Sequence, residues 1–342
     1  MNATIVIEET EHGQAVALWK DGQLDDLLVD KPDDGTPIPG AIYAARVDRP
    51  LKGMGGAIVA LPEGQSGFLR DAKGLSAGQR VLVQVSTYPE AGKSAPVLRR
   101  LLFKSRYVIV TPDAPGLNIA RSIRDEEMRV ALHDLAESHI PDAKYGLILR
   151  SSCAGADHTA IGADLSDTLA VADQVLTDTS EAPALLLDGP SAEFLAWRDW
   201  TDDADLDREP GAFERFDIWS AMEQLRRPRH DLTGGAWMSI DPTPAFVCID
   251  VNTGGDLSPS ACLKANREAA RQLPRALRLR GLGGQILVDF APMGKKDRRE
   301  IETTLRQSLR ADPIETTFAG WSNLGLAELV RKRERRPLNE VK

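Results

Sequence analysis

The sequence predicts a multidomain protein of mixed α+β and α/β class, with a small β-barrel in its N-terminal half and an α/β region at its C-terminal end. A length of 342 residues exceeds that of one ordinary domain. Short apolar segments separated by glycine turns run through the first 105 residues, whereas strands and amphipathic helices alternate after residue 245. Hydrophobic residues make up 42% of the chain and charged residues 27%, as in globular proteins with substantial cores.

The N-terminal half is predicted to be built from short strands. Residues 4–30 alternate apolar and polar side chains and are broken at His12-Gly13 and Asp21-Gly22, which indicates three strands joined by tight turns. Further short strands with glycine-rich turns are predicted in GAIYAARVDR, GMGGAIV, SGFLRD, GQRVLVQV and SAPVLRR. Several strands of this length at close spacing are typical of a small barrel.

The middle of the chain mixes strands and helices. Strands are predicted in RYVIVTP and YGLILR, and helices in RDEEMRVALHDLAESH, DTLAVADQVLTD and PSAEFLAWRDW. The first of these helices carries three acidic residues in its first turn, where they favour the helix dipole. Residues 200–212 are acidic and poor in apolar side chains, so we expect a linker there.

The C-terminal part is predicted to alternate helices and strands. An amphipathic helix in FERFDIWSAMEQLRR precedes two apolar strands, AFVCID and GGQILVD. Between them a helix should begin with Ser258 as its cap and end at Gly281, with Pro274 kinking or splitting it. Two more helices are predicted, in KKDRREIETTLRQSLRADP and in SNLGLAELVRKRERRPL.

Charge is distributed unevenly along the chain. The net charge is −9, but residues 260–342 hold 18 Lys and Arg against 10 Asp and Glu. This asymmetry indicates a basic surface for a polyanion on the C-terminal part. Solvated faces of amphipathic helices are the alternative explanation.

Cysteine usage and hydropathy point to a cytoplasmic protein. The three cysteines are far apart and form no CxxC pair, which favours a reducing compartment and argues against a cysteine-based zinc site. The first residues are acidic rather than basic and apolar, and no run of 18 apolar residues occurs. We therefore expect neither a signal peptide nor a membrane segment.

Two apolar strands that each stop at an aspartate are the best lead to chemistry. Asp250 and Asp289 would emerge side by side at the carboxyl edge of a sheet if their strands are neighbours. Two close carboxylates repel unless a cation lies between them, and oxygen ligands of this kind suit Mg²⁺ or Mn²⁺. Asn252 shares a strand face with Asp250 and could orient a carboxylate or contact a phosphate. The alternative is that both aspartates cap helices or turns.

Other residues could contact a nucleic acid. Arg150 and Ser151, where a strand meets a loop, would suit an anion, although an ordinary surface arginine fits the same pattern. Phe68 could stack a base on the barrel surface or belong to the core. Lys93 is expected in an exposed turn, because EAGKS lacks the first glycine of a phosphate-binding loop.

Several ordered motifs resemble the ribonuclease E/ribonuclease G family. They are CIDVNTGGD, KANREAARQLPRALRLRGLGG, ILVDFAPM, SNLGLAELVRKR, GAFERFDIWSAMEQL and GAIYAARVDR with GMGGAIV. Nearly the whole chain is covered, and the resemblance is most specific between residues 245 and 334.

The resemblance implies a particular domain organisation. It implies an OB-type barrel of the ribosomal-protein-S1 kind inserted in an N-terminal region, a 5′-sensor-like α/β region and a DNase-I-like α/β catalytic domain. The expected boundaries are 1–36 for an N-terminal β segment, 37–105 for the barrel, 106–180 for the sensor-like region, 181–235 for a linker and helical segment packing with the N-terminal segment, and 236–342 for the catalytic domain.

The resemblance also implies a Mg²⁺-dependent endoribonuclease acting on single-stranded RNA. Asp250 and Asp289 would hold the metal, and Asn252 would assist at the scissile phosphate. The RNA would be bound by Phe68, Lys93, Arg150, Ser151, Lys264, Arg267, Arg278 and Arg280. The expected products carry 5′-phosphate and 3′-hydroxyl ends.

Departures from the family pattern keep two alternatives open. Ile58 stands where a second barrel aromatic is expected, and Glu315 lies where a phosphate-sensing arginine is expected. A catalytically weakened RNA-binding member of the family is therefore one alternative, and a metal phosphoesterase acting on small molecules is another. The family's CPxCxG zinc link does not follow RKRERRPL, so we do not expect zinc-linked dimerisation, and the oligomeric state stays open.

Overall fold

The computed structural model describes residues 3–11, 13–30, 35–51, 53, 55–90, 92–140, 145–200 and 204–340. The chain divides into two compact units, one made of residues 1–34 and 202–342 and the other of residues 35–201. The second unit is therefore an insertion within the first.

The N-terminal strands form an antiparallel meander in the first unit, as the alternating sequence predicts. The strands are β1 (Ala3–Thr10), β2 (Gly13–Lys20) and β3 (Gln23–Val29). Asp21 and Gly22 both adopt positive φ, 49° and 79°, which is the geometry of a tight hairpin turn.

A closed barrel of five strands dominates the second unit. Its strands are β4 (Ile42–Leu51), β5 (Gly56–Ala60), β6 (Ser66–Leu69), β7 (Arg80–Val85) and β8 (Ala95–Leu98). They pair in the order β4-β5-β6-β8-β7, and pairing of β4 with β7 closes the barrel. The predicted small barrel is thereby confirmed, and its strand number is consistent with an OB-type barrel.

The rest of the second unit is a small sheet with helices. Its elements are β9 (Phe103–Lys104), β10 (Val108–Thr111), β11 (Leu117–Ile119), α1 (Glu126–His139), β12 (Gly146–Leu149), α2 (His158–Leu176), β13 (Ala184–Leu187) and α3 (Ala192–Asp199). The sheet order is β11-β12-β10-β9, whereas β13 extends the barrel at β4. Helix α2 begins before the predicted start at residue 167, because the Asp157 side chain accepts a hydrogen bond from the backbone of its first turn.

Two predictions for the segment after residue 200 need correction. The segment predicted as a linker contains β14 (Asp205–Asp207), which pairs in parallel with β1. The amphipathic helix predicted from residue 213 consists of α4 (Ala212–Arg215) and α5 (Ile218–Leu225). Asp217, with a φ of 54°, interrupts it.

The C-terminal region is a six-stranded mixed sheet with two helices. Its elements are β15 (Arg229–Asp231), β16 (Trp237–Pro242), β17 (Val247–Asn252), α6 (Pro259–Leu279), β18 (Gly284–Asp289), α7 (Lys295–Ala311), β19 (Thr316–Trp321) and β20 (Ala327–Arg331). The strand order is β15-β16-β17-β18-β20-β19, and only β17 and β18 pair in parallel.

Helix α6 follows its predicted limits. The Ser258 hydroxyl accepts a hydrogen bond from the Ala261 backbone N–H, and Gly281 leaves the helix with a φ of 65°. The helix runs through Pro274 without being divided, so the alternative of two separate helices is wrong.

The helix predicted over residues 322–338 is wrong, because this segment contains the strand β20. Ala327, Leu329 and Arg331 are buried, whereas the intervening side chains are more accessible. This period of two is that of a strand, and pairing with both β18 and β19 satisfies its backbone.

Candidate active site

The six-stranded C-terminal sheet has one covered face and one open face. Val247, Ile249 and Val251 of β17 point into a core formed with α6 and α7. The residues between them point the other way, and Cys248 and Asp250 are exposed. The same alternation occurs in β16 and β18, so the open face carries polar side chains from three adjacent strands.

Asp250 and Asp289 lie side by side on this open face. They are directly paired residues of the parallel strands β17 and β18, whose spacing is about 4.8 Å. Both are exposed, and neither has an ion-pair partner among the described residues. The structure thus brings together the two aspartates that the sequence singled out.

The chemistry of this donor set fits a divalent metal ion. Two neighbouring carboxylates without a protein cation repel one another, and a hard cation between them would relieve that repulsion. Exposed carboxylate oxygens of this kind suit Mg²⁺ or Mn²⁺. No described histidine lies beside them on the open face, and the cysteine there, Cys248, lies toward the other end of β17. The role of both residues as metal ligands stays a prediction.

Asn252 orients the first carboxylate. Its Nδ2 donates a hydrogen bond of 2.8 Å to Oδ2 of Asp250, two residues earlier on the same strand face. The bond restricts the Asp250 side chain and leaves its other oxygen available to a ligand.

Asn266 of α6 positions the chain that follows Asp289. This side chain is fully buried, its Nδ2 donates to the carbonyl of Ala291, and its Oδ1 accepts from the backbone N–H of Ala291, both at 2.9 Å. The reciprocal pair ties the loop after β18 to α6. Sequence reasoning assigned Asn266 no role, although a polar residue within the apolar stripe of a helix was an available signal.

The predicted basic contacts of α6 divide into two kinds. Lys264 is exposed, and Arg267 is partly exposed and paired with Glu300 of α7. Both could approach a polyanion at the surface.

Arg278 and Arg280 require a correction, because both are buried and are not placed to bind RNA. Arg278 is 7% exposed and forms ion pairs with Asp25, Asp26 and Asp312. Arg280 is 5% exposed, donates to the carbonyl of Ala276, and has its pKa lowered to about 10 by burial. The ion pairs of Arg278 hold α6 in place inside the fold, and burial keeps the guanidinium of Arg280 away from a phosphate at the surface.

Phe68 lies on the outer surface of the barrel. Gly67 and Leu69 point inward, so Phe68 points outward, where it pairs with Ile58 on one side and Pro96 on the other. All three are partly exposed and form an apolar row across β5, β6 and β8. Lys93, in the turn before β8, is exposed and forms an ion pair with Glu90.

Arg150 is held by contacts within its own unit. Its guanidinium donates to the carbonyls of Ser105 and Arg106, at 2.5 and 3.1 Å, and to the carboxylate of Asp199 at 2.8 Å. Ser151 is exposed at the start of a single 3₁₀ turn. The sequence left open an ordinary surface arginine, whereas Arg150 is only 25% exposed and is bound to groups of its own unit.

Asp199 forms ion pairs with both Arg150 and Arg198. Burial raises its pKa, but hydrogen bonds and charges from Arg198 and Arg150 outweigh that effect and leave the pKa below its usual value. Glu315, in the other unit, is paired with Lys332, whose pKa this contact raises.

One other group of metal-ligating side chains occurs in the described part of the chain. His133, Asp134 and Glu137 lie close together on α1, but all three are exposed. Such surface groups are common without a metal. The cysteines Cys153, Cys248 and Cys262 are free thiols, and no described helix is long and apolar enough to cross a membrane.

Comparison with known proteins agrees with the resemblance seen in the sequence. The model of the ribonuclease E/G family matches residues 103–208 and 202–334. Ribonuclease G of Escherichia coli is 27% identical over 402 aligned positions, which cover 100% of this chain and 82% of the relative. Ribonuclease E of Synechocystis is 29% identical, with 100% of this chain and 58% of the relative covered, and ribonuclease E of Nostoc is 30% identical, with 97% and 56% covered.

Proposed function

Because the chain belongs to the ribonuclease E/G family, we propose that it is an endoribonuclease that hydrolyses single-stranded RNA with the help of Mg²⁺. The observation that carries the proposal is the direct pairing of Asp250 with Asp289 on the open face of the C-terminal sheet. Mn²⁺ would suit the same oxygen ligands. The free thiols of the three cysteines support a cytoplasmic setting for the reaction.

The proposed mechanism assigns each polar side chain of the site a task. Asp250 and Asp289 would hold the ion, and Asn252 would keep the Asp250 carboxylate turned toward it. When bound, a divalent ion stabilises charge on the phosphoryl group and lowers the pKa of water. Asn266 would hold the end of β18 at a fixed distance from α6. The RNA products would carry 5′-phosphate and 3′-hydroxyl ends.

The proposed RNA contacts are those that remain exposed. Lys264 and Arg267 lie on α6 in the same unit as the paired aspartates, and Phe68, Lys93 and Ser151 would contact RNA from the other unit. Because Arg150 is bound to backbone carbonyls and Asp199, we expect little discrimination between RNA with a 5′-monophosphate and RNA with a 5′-hydroxyl.

The finer description of the fold is part of the same proposal. Strands β16 to β20 of the six-stranded sheet, with α6 and α7, would form the DNase-I-like catalytic domain, residues 236–342, and the edge strand β15 would lie just before it. Residues 37–105 would be an S1-type OB barrel and 106–180 the sensor-like region, with 1–36 and 181–235 forming the remaining segments. The two parallel strands that carry the aspartates support this assignment.

A cleavage assay on short AU-rich single-stranded RNA tests the proposal. Wild type should cleave in Mg²⁺ and lose activity when the metal is removed by a chelator. Asp250→Asn and Asp289→Asn should each lose about 100-fold or more in rate, since metal stabilisation is worth several kcal/mol. Asp241→Asn is the matched control, because Asp241 is an exposed carboxylate on the same sheet face, hydrogen-bonded by Ser239.

Each outcome of this assay separates the alternatives. RNA binding that weakens with salt, with no cleavage by folded wild type, would identify the RNA-binding relative with weakened catalysis, for which Ile58 and Glu315 are the motivating departures. Hydrolysis of small phosphodiesters without RNA binding would identify the phosphoesterase. Full activity in either aspartate variant would exclude the proposed metal site.

A further inference from the structure

A tryptophan lies beside the paired aspartates on the open face. Trp237 of β16 is directly opposite Asn252 of β17, and Ser239 is opposite Asp250. Met238 and Ile240 are buried, so Trp237 and Ser239 point to the open face with the aspartates. The side chains of Trp237 and Asn252 are therefore direct cross-strand neighbours, with Cβ atoms about 5 Å apart.

Arg229 of the edge strand β15 backs the indole. Its Cζ lies 4.8 Å from the centroid of the Trp237 ring, within range of a cation–π contact. Its Nε donates to Oδ1 of Asp231 at 2.8 Å, which fixes the guanidinium against the ring. The Arg229 side chain is 56% exposed, and Trp237 is partly exposed.

The position of Trp237 matches the reach of a nucleotide from the site. Diagonal cross-strand neighbours such as Trp237 and Asp250 are about 7–8 Å apart, whereas Asp289 lies one strand beyond Asp250. A nucleoside that flanks a phosphate at the aspartates can therefore reach β16. An indole is the one side chain on this part of β16 that can stack a base.

We propose that Trp237, backed by Arg229, is a stacking subsite for the nucleobase next to the scissile phosphate. The inference rests on the proposed function, which places the phosphate at Asp250 and Asp289. Stacking would accept any base, because each has a π-face, and the guanidinium, ion-paired with Asp231, would support the indole. The subsite would thus hold the strand without reading its sequence.

The competing explanation is a structural cation–π pair that secures the edge strand β15. That role predicts a loss of stability when Trp237 is changed, with no dependence on whether the RNA carries bases. The subsite instead predicts that changing Trp237 weakens the binding of RNA that carries bases but not of abasic RNA. The tests therefore vary the bases of the ligand.

The first test measures binding by the full chain carrying Asp250→Asn, which should prevent cleavage. The probes are a fluorescein-labelled single-stranded RNA decamer and an abasic decamer of equal length and charge, at one salt concentration. Adding Trp237→Ala should raise the Kd of the intact RNA about tenfold and leave the Kd of the abasic RNA unchanged. Trp237→Phe should retain most of the affinity for intact RNA.

A control separates this effect from general loss of an exposed aromatic residue. Trp219 of α5 is 41% exposed and packs on Phe213 in the same unit. Trp219→Ala should change neither Kd. Equal weakening of both RNAs by Trp237→Ala, or no weakening of either, would overturn the subsite.

The second test locates the subsite relative to the cleaved bond. With aspartates intact, a single abasic nucleotide beside the mapped cleavage site should raise KM about tenfold and change kcat by less than about twofold. Trp237→Ala should abolish this sensitivity, and sensitivity only at distant positions would overturn the assignment. If the protein cleaves RNA but Trp237→Ala weakens intact and abasic RNA alike, the subsite is excluded and the nuclease proposal stands. If Trp237→Ala weakens only RNA that carries bases but the wild type never cleaves RNA, the nuclease proposal is excluded and the subsite stands.

Discussion

Replacing Asn266 by alanine should destabilise the C-terminal sheet by roughly 2–6 kcal/mol, because the change leaves two buried backbone groups without partners. The Asn266 side chain is 0% exposed, and it forms reciprocal 2.9 Å hydrogen bonds with the N–H and C=O of Ala291. Each orphaned group costs about 1–3 kcal/mol of desolvation that is no longer compensated. The loss is large against the roughly 5–15 kcal/mol that stabilises an ordinary domain.

Thermal and urea unfolding, followed by circular dichroism, would measure this loss. For a unit of this size the melting temperature should fall by roughly 4–24 °C. Asn323→Ala is the matched control, since Asn323 is exposed in the turn between β19 and β20 and should have little effect. The melting temperature of Asn266→Asp should lie between those of the two alanine variants at low pH, where a protonated carboxyl can both donate and accept. At neutral pH the loss of stability relative to wild type should be larger, because a carboxylate can only accept.

Activity should fall along with stability, because Ala291 lies two residues after Asp289. The rate of RNA cleavage at a temperature well below unfolding should decrease in Asn266→Ala, with a smaller change in RNA affinity, as expected for a positioning residue. An unfolding free energy within about 0.5 kcal/mol of wild type would refute the reasoning. It would mean that water or another group satisfies Ala291 as well as Asn266 does.

Three further predictions follow from burial and charge. Lys264→Ala should weaken RNA binding and reduce the slope of log Kd against log salt by about 0.7, without altering thermal unfolding, and an unchanged slope would remove Lys264 from the interface. Cys248, which is exposed, should react with a thiol reagent at pH 8 before Cys153, since burial raises the pKa of Cys153 to about 11; equal rates would contradict this. The lowered pKa of Asp199 contributes stability that is fully present above its unfolded pKa of about 4 and is lost as the pH falls through the lower folded pKa. The melting temperature of Asp199→Asn should therefore fall less steeply than that of wild type between pH 5 and 3.

Much of the C-terminal site could be predicted because its pattern is local. The apolar runs of β17 and β18 lead to Asp250 and Asp289, and the parallel pairing of the two strands follows from the helix between them. The cap of α6 at Ser258 and its exit at Gly281 are likewise encoded by single residues. These features depend on neighbours within a few positions.

Other features could not be predicted because the same sequence pattern serves two structures. The segment around Leu329 fits both an amphipathic helix and a strand of alternating burial, and only pairing with β18 and β19 made it the strand β20. The bond from Asn266 to Ala291 joins residues on different elements, so no local rule indicates it.

The sequence by itself determined the two strands that carry the paired aspartates, the barrel strands and the family to which the chain belongs. Only the tertiary structure decided which charged side chains face water. Arg278 turns inward because Asp26 and Asp312 neutralise it there, whereas Lys264, on the same helix, forms no ion pair with the described residues and remains exposed. The sequence shows where each charged residue lies along the chain. Whether a basic residue is buried depends on acidic groups that distant segments bring to it, and those contacts exist only in the folded protein.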